Sequence, residues 1–198
     1  MVRKAFAVIC LAALAAVGMS SSATAQDAPP TSEITTFALD RCDHTVDDPK
    51  IGVSEWMCEG YGDHKVWVAQ ADQRMLISFG DDARDRCAGR ETFISPNTIE
   101  GDIEWRLRGG DPFATITRWS TGENGDDGTF LVVTSISAKD VCHVAYIDAD
   151  LPSAQALSRV VADGQAEGFD CSVDHPVMIT KLGKSPDQLA AGFPCSDP

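Results

Sequence analysis

Catalytic signatures are missing from this sequence. It has no G-x-S-x-G elbow, no H-E-x-x-H, no P-loop and no G-x-G-x-x-G, so no hydrolase, zincin or nucleotide fold can be read from a motif. Cys-x-x-Cys is also absent, and with it the tight turn used by structural zinc sites and thioredoxin-type redox motifs. The histidines, His44, His64, His143 and His175, include no pair at helical or strand ligand spacing. Positive charge is scarce: 16 Lys and Arg face 30 Asp and Glu, a net −14. Such a chain repels a phosphate backbone, which excludes nucleic acid as the expected partner. After residue 25 no apolar run approaches the roughly 18 residues of a membrane span. What is present is 43% hydrophobic residues in 198, enough to build the core of one domain.

Residues 1–25 have the three parts of a secretory signal. Arg3 and Lys4 supply the positive start, 5–18 (AFAVICLAALAAVG) the apolar run, and Ala23-Thr24-Ala25 the small residues that a signal peptidase reads. Cleavage is expected after Ala25. It removes two positive charges and Cys10, which takes the net charge from −14 to −16 and the cysteine count from seven to six. The expected location is the periplasm or the medium.

An even set of cysteines in an exported chain reads as a disulfide framework. Cys42, Cys58, Cys87, Cys142, Cys171 and Cys195 are expected to pair, and spacing alone does not select the connectivity. One pair is favoured. Cys142 lies in an expected strand and Cys171 follows the next helix, so a helix folding back on its sheet would bring the two together. No metal or cofactor is expected.

Residues 26–33 (QDAPPTSE) read as a flexible tail and 34–198 as a single domain. Residues 43–50 (DHTVDDPK) read as a polar loop. Segments 65–70 (KVWVAQ) and 74–79 (RMLISF) suit a hairpin with a three-residue loop, Ala71-Asp72-Gln73. Ile103, Trp105 and Leu107 alternate with Glu104, Arg106 and Arg108, which predicts a strand with one apolar and one charged face. Gly109-Gly110-Asp111 turns the chain into 112–119 (PFATITRW). Beyond the acidic turn 121–128 (TGENGDDG) come 129–136 (TFLVVTSI) and 141–148 (VCHVAYID). Residues 129–136 are apolar on both faces, as in a central strand covered on both sides.

Pro152 and Gly164 frame a helix over 152–163, with Leu157, Val160 and Val161 as its stripe. A short second helix is expected over 186–191, capped by Ser185. The expected fold is α+β: a twisted antiparallel sheet of about six strands in a meander, one main helix packed on a face, stabilised by disulfides.

Two side chains are candidates for binding. Tyr61 stands between Gly60 and Gly62, immediately before the strand carrying Trp67. The bland alternative is a disulfide-anchored turn that tucks Tyr61 into the sheet. The turn Glu123 to Gly128 lacks EF-hand spacing and reads as a solvated hairpin tip.

Around these residues the chain resembles a group of short exported proteobacterial proteins of unknown function. The resemblance runs through Cys58-x-Gly60-Tyr61-Gly62, Val66-Trp67-Val68-Ala69, Ser78-Phe79-Gly80, Glu104-Trp105-Arg106-Leu107, Pro112-Phe113-Ala114-Thr115-Ile116 and Val144-Ala145-Tyr146-Ile147-Asp148. It spans about residues 55–171, implies a periplasmic or secreted setting, and carries no activity or residue role. The expected function is a non-enzymatic exported binding module or inhibitor whose acidic surface engages a basic protein. The alternatives are a structural envelope protein and a hydrolase with a dispersed carboxylate and histidine site.

Overall fold

The computed structural model describes residues 28–94, 96–137, 139–181, 190, 191 and 195; the expected signal, 1–25, lies outside them. After β1 (Thr31–Thr35) a 3-10 turn, Leu39–Arg41, leads to β2 (Asp43–Asp48), β3 (Val53–Glu59), β4 (Lys65–Ala71) and β5 (Arg74–Phe79). Two more 3-10 turns, Ala83–Asp85 and Cys87–Arg90, precede β6 (Thr92–Phe93). Then come β7 (Asn97–Arg108), β8 (Asp111–Thr121), β9 (Gly128–Ile136) and β10 (Val141–Asp148). The chain continues through α1 (Ala154–Gln165), β11 (Val177–Ile179) and β12 (Ala190–Ala191).

The fold is α+β. A six-stranded sheet, ordered β1-β7-β8-β9-β10-β11, carries α1 on one face, and a four-stranded sheet, β2-β3-β4-β5, packs on the other. β6 pairs with β12 in a short separate ladder. The larger sheet is mixed, because β11 runs parallel to β10 while the other pairs are antiparallel.

Side-chain alternation explains the layers. In β9, Phe130 and Val132 enter the core between the sheets, and Leu131 and Val133 the core under α1. This strand is covered on both sides, as its two apolar faces require. In β7, Ile103, Trp105 and Leu107 face the second sheet, where Phe79 of β5 meets Trp105 edge-on with ring centroids 5.4 Å apart. The helix buries Ala154, Ser158, Val161 and Ala162, whereas Val160 is 67% exposed. Small residues therefore let the helix lie close to the sheet, and Val160 is not part of the expected stripe.

Several expected elements take other roles. Residues 65–70 and 74–79 pair as expected, but in the second sheet rather than the larger one. Their loop has two residues, since Ala71 pairs with Arg74, and both Asp72 and Gln73 are left-handed, with φ of 53° and 59°. Two successive positive φ values match the right-handed strand twist without a glycine. The expected polar loop 43–50 is mostly β2, an edge strand whose polar side chains keep its open side solvated; Cys42 ties it to β3 through Cys58. The expected tail, 26–33, ends inside β1, held by pairing of Thr31 with Leu107 and by an indole hydrogen bond from Trp105 to Thr35 Oγ1 at 2.8 Å. Of the expected helix over 186–191, the two described residues, Ala190 and Ala191, are instead β12. The remainder lies outside the described residues.

Three disulfides join Cys42 to Cys58, Cys87 to Cys195 and Cys142 to Cys171. The last ties the inner strand β10 to the chain just past α1. Among the described residues no helix is long and apolar enough to cross a membrane.

Candidate functional site

The widest departure from regular pairing lies in β7. Glu100 stands opposite Arg118 of β8 and Glu104 opposite Ile116, so 101–103 bulge against the single residue Thr117. Gly101 permits this with φ of 72°, a conformation strained for other residues. Bulges of this kind re-aim side chains and recur beside functional sites.

The bulge forms one wall of an open cleft of about 320 Å³. Its floor is Ile116 and Leu131, and Ile34 of β1 stands at its rim, 55% exposed. Gln155 and Arg159 of α1 close the far side. Glu100 and Asp102 line it as exposed carboxylates. Arg118, also exposed, makes no ion pair among the described residues. Glu100 also lines a neighbouring cleft with Glu123, so the acidic turn after β8 extends the same charged end.

Beneath the rim lies a fully engaged charge network. Glu104 is buried and accepts from Arg159 Nε at 2.7 Å, from Gln155 Nε2 at 2.5 Å and from Ser32 Oγ. Ser32 Oγ in turn accepts from Arg106, whose Nε and Nη2 reach the two carboxylate oxygens of Asp163 at 2.9 and 2.7 Å. Burial opposes ionisation of Glu104, but hydrogen bonds from Arg159, Ser32 and Gln155 outweigh it and hold the carboxyl below the usual range. The network clamps α1 to β7 and β1 and fixes the cleft wall.

A second polar group is sealed in the core. Glu91 is 3% exposed, and its Oε2 accepts the backbone N–H of His143 at 2.6 Å. His143 Nδ1 lies 2.9 Å from the Tyr146 hydroxyl and 3.9 Å from the Glu91 carboxyl. Burial pushes the Glu91 carboxyl up to about 8 and the His143 imidazole down to about 3, and raises the Tyr146 hydroxyl. At neutral pH, therefore, the 3.9 Å approach joins a neutral acid to a neutral ring and is not an ion pair. The Nε2 of His143 is buried and has no hydrogen-bond partner among the described residues.

The two aromatics singled out from the sequence do not converge. Tyr61 packs partly buried against the core between the sheets, its ring 6.3 Å from that of Trp105. Trp67 is buried on the outer face of the four-stranded sheet, its indole N–H donating to Glu55 at 3.0 Å. Gly60 is needed beside them, because a Cβ there would lie 2.7 Å from the Trp105 ring. His44 stacks on Trp56 at 5.0 Å and His64 lies 6.1 Å from Trp105; His175 is exposed.

The cleft residues Ile34, Glu100, Asp102 and Arg159 were not among the sequence candidates. Glu104 was visible as part of a charged strand face; that the face would be covered by a helix bearing Arg159 was not. Compared with family models, curated proteins and solved structures, the chain matches none.

Proposed function

We propose that this protein is an exported, non-enzymatic binding module that takes a cationic side chain of a basic protein into the cleft beneath the β7 bulge. The observation that carries the reading is the pairing of two exposed carboxylates, Glu100 and Asp102, with an exposed isoleucine, Ile34, around one opening. A lysine or arginine presents that combination in reverse, an apolar stem ending in a charge. The stem rests on Ile34 and the charge faces the carboxylates; with Arg159 paired to Glu104, the two exposed carboxylates outnumber Arg118, the one remaining cation among the described residues of the lining. The chain's net charge of −14 steers such a partner from a distance. Three disulfides and the absence of a membrane-spanning helix among the described residues fit an exported setting.

The test is retention of the protein on immobilised lysozyme, a basic protein, at low and at physiological salt. Retention that weakens with salt and disappears in the Glu100→Lys, Asp102→Lys double variant is the expected result. Failure of the unaltered protein to bind at either salt overturns the reading.

A further inference from the structure

Glu91 is the buried titratable group that the cleft does not use, and it lies against a disulfide. Its carboxyl oxygen and the sulfurs of Cys87 and Cys195 all fall within 4.8 Å of one another. Among the described residues, no other disulfide has a carboxylate or imidazole that close to both sulfurs. Both sulfurs are committed to each other, so the trio is not a metal site while the bond is closed.

The bond's two ends differ. Cys87 is 1% exposed in the turn Cys87–Arg90, and its N–H donates to Asp140 Oδ1 at 3.1 Å. Cys195 is only partly covered and lies 108 residues away along the chain. Near it, the described ladder is the two-residue pairing of β12 with β6. Cys195 is thus the less covered end of the bond, and the attack is assigned to its sulfur, with the buried Cys87 sulfur leaving.

We propose that Cys87–Cys195 is an exchangeable disulfide, opened by a dithiol reductant, with Glu91 protonating the sulfur that leaves. A thiolate of the dithiol attacks Cys195 Sγ, the S–S bond breaks, and its electron pair goes to Cys87 Sγ. That sulfur takes the proton of the Glu91 carboxyl, which recovers one from solvent. The second thiolate of the dithiol then attacks the mixed disulfide, closes its own disulfide and releases Cys195 as a thiolate, which water protonates. Two electrons pass from the dithiol to the protein, and residue 195 is no longer bonded to Cys87.

The groups facing Glu91 favour a carboxyl that holds its proton at neutral pH. Burial and the nearby Asp140 raise its affinity for a proton, while the His143 N–H and Arg90 lower it. Such an acid is matched to a thiolate leaving group, because efficient proton transfer needs a donor near the working pH.

The experiment treats the full chain with dithiothreitol at pH 7, alkylates at intervals and maps the three pairs by mass. Cys87–Cys195 is expected to open first, with Cys42–Cys58 and Cys142–Cys171 still closed. Its rate per reagent thiolate is expected to fall as the pH passes 8, and Glu91→Gln should slow it about tenfold or more while leaving the other two pairs unchanged. Opening of all three pairs together, or of either other pair first, overturns the proposal, and this result needs no variant. An unaltered rate in the folded Glu91→Gln protein, with no fall above pH 8, removes Glu91 from the step.

Discussion

Replacing Glu91 with Gln should abolish an alkaline loss of stability. In the folded protein the Glu91 carboxyl is raised from 4.5 to about 8, principally by burial. Between those values the native state holds a proton that the unfolded chain has released, so stability falls as pH rises. At about 1.4 kcal/mol per unit, the whole window is worth about 5 kcal/mol. His143 works in the opposite sense. Its imidazole is lowered from 6.5 to about 3 by burial, so its contribution is lost as pH falls through that range. From pH 6.5 to 8 the Glu91 loss, about 2 kcal/mol, dominates; His143 returns only about 0.4 kcal/mol as the unfolded imidazole gives up its remaining half proton, and it does so equally in both proteins. Urea unfolding of both proteins at pH 6.5 and pH 8 measures it. The Gln variant keeps a neutral acceptor for the His143 N–H and has no proton to lose. It should gain about 2 kcal/mol relative to the unaltered protein between the two pH values. Parallel pH dependence in the two proteins would falsify the claim that burial holds this carboxyl neutral.

Two further substitutions probe the packing. Glu104→Ala removes the acceptor shared by Arg159, Gln155 and Ser32, while the buried Arg106 keeps Asp163 and Ser32; chemical denaturation should show a loss of about 1–3 kcal/mol. Because the Glu104 carboxyl is depressed, its stabilisation is present above the ordinary carboxylate range and fades as pH falls through the folded value, an acid sensitivity the variant should lack. Gly60→Ala drives a methyl group against the His64 carbonyl and the Trp105 ring and should cost about 1–3 kcal/mol, read as a lower melting temperature.

Strand existence was legible wherever local pattern was strong. The alternation of Ile103, Trp105 and Leu107, and the doubly apolar run Phe130 to Val133, predict two strands and the need for layers on both sides. The inner strand β3 and the two-residue β6 and β12 were missed, as were β1, β2 and β11, the last three for a physical reason. They are edge strands, and β1 and β2 carry Thr, Ser, Asp and Glu because one side of their backbone remains open. The cleft was illegible for another reason. Glu100 and Asp102 in β7, Ile34 in β1 and Arg159 in α1 are far apart in sequence, and the bulge that gathers them depends on which residue of β8 each one faces.

The cysteine set, the acidity, the helix and the run of hairpin-linked strands from β7 to β10 could be read from the chain, since each rests on composition or on contacts between near neighbours. Tertiary structure alone decided that β4 and β5 leave that sheet for a second one, that Glu91 and His143 become neutral in a shared core, and that the charged face of β7 is buried under α1. Those outcomes depend on which distant surfaces exclude water together, a property of the packed layers that no local window contains.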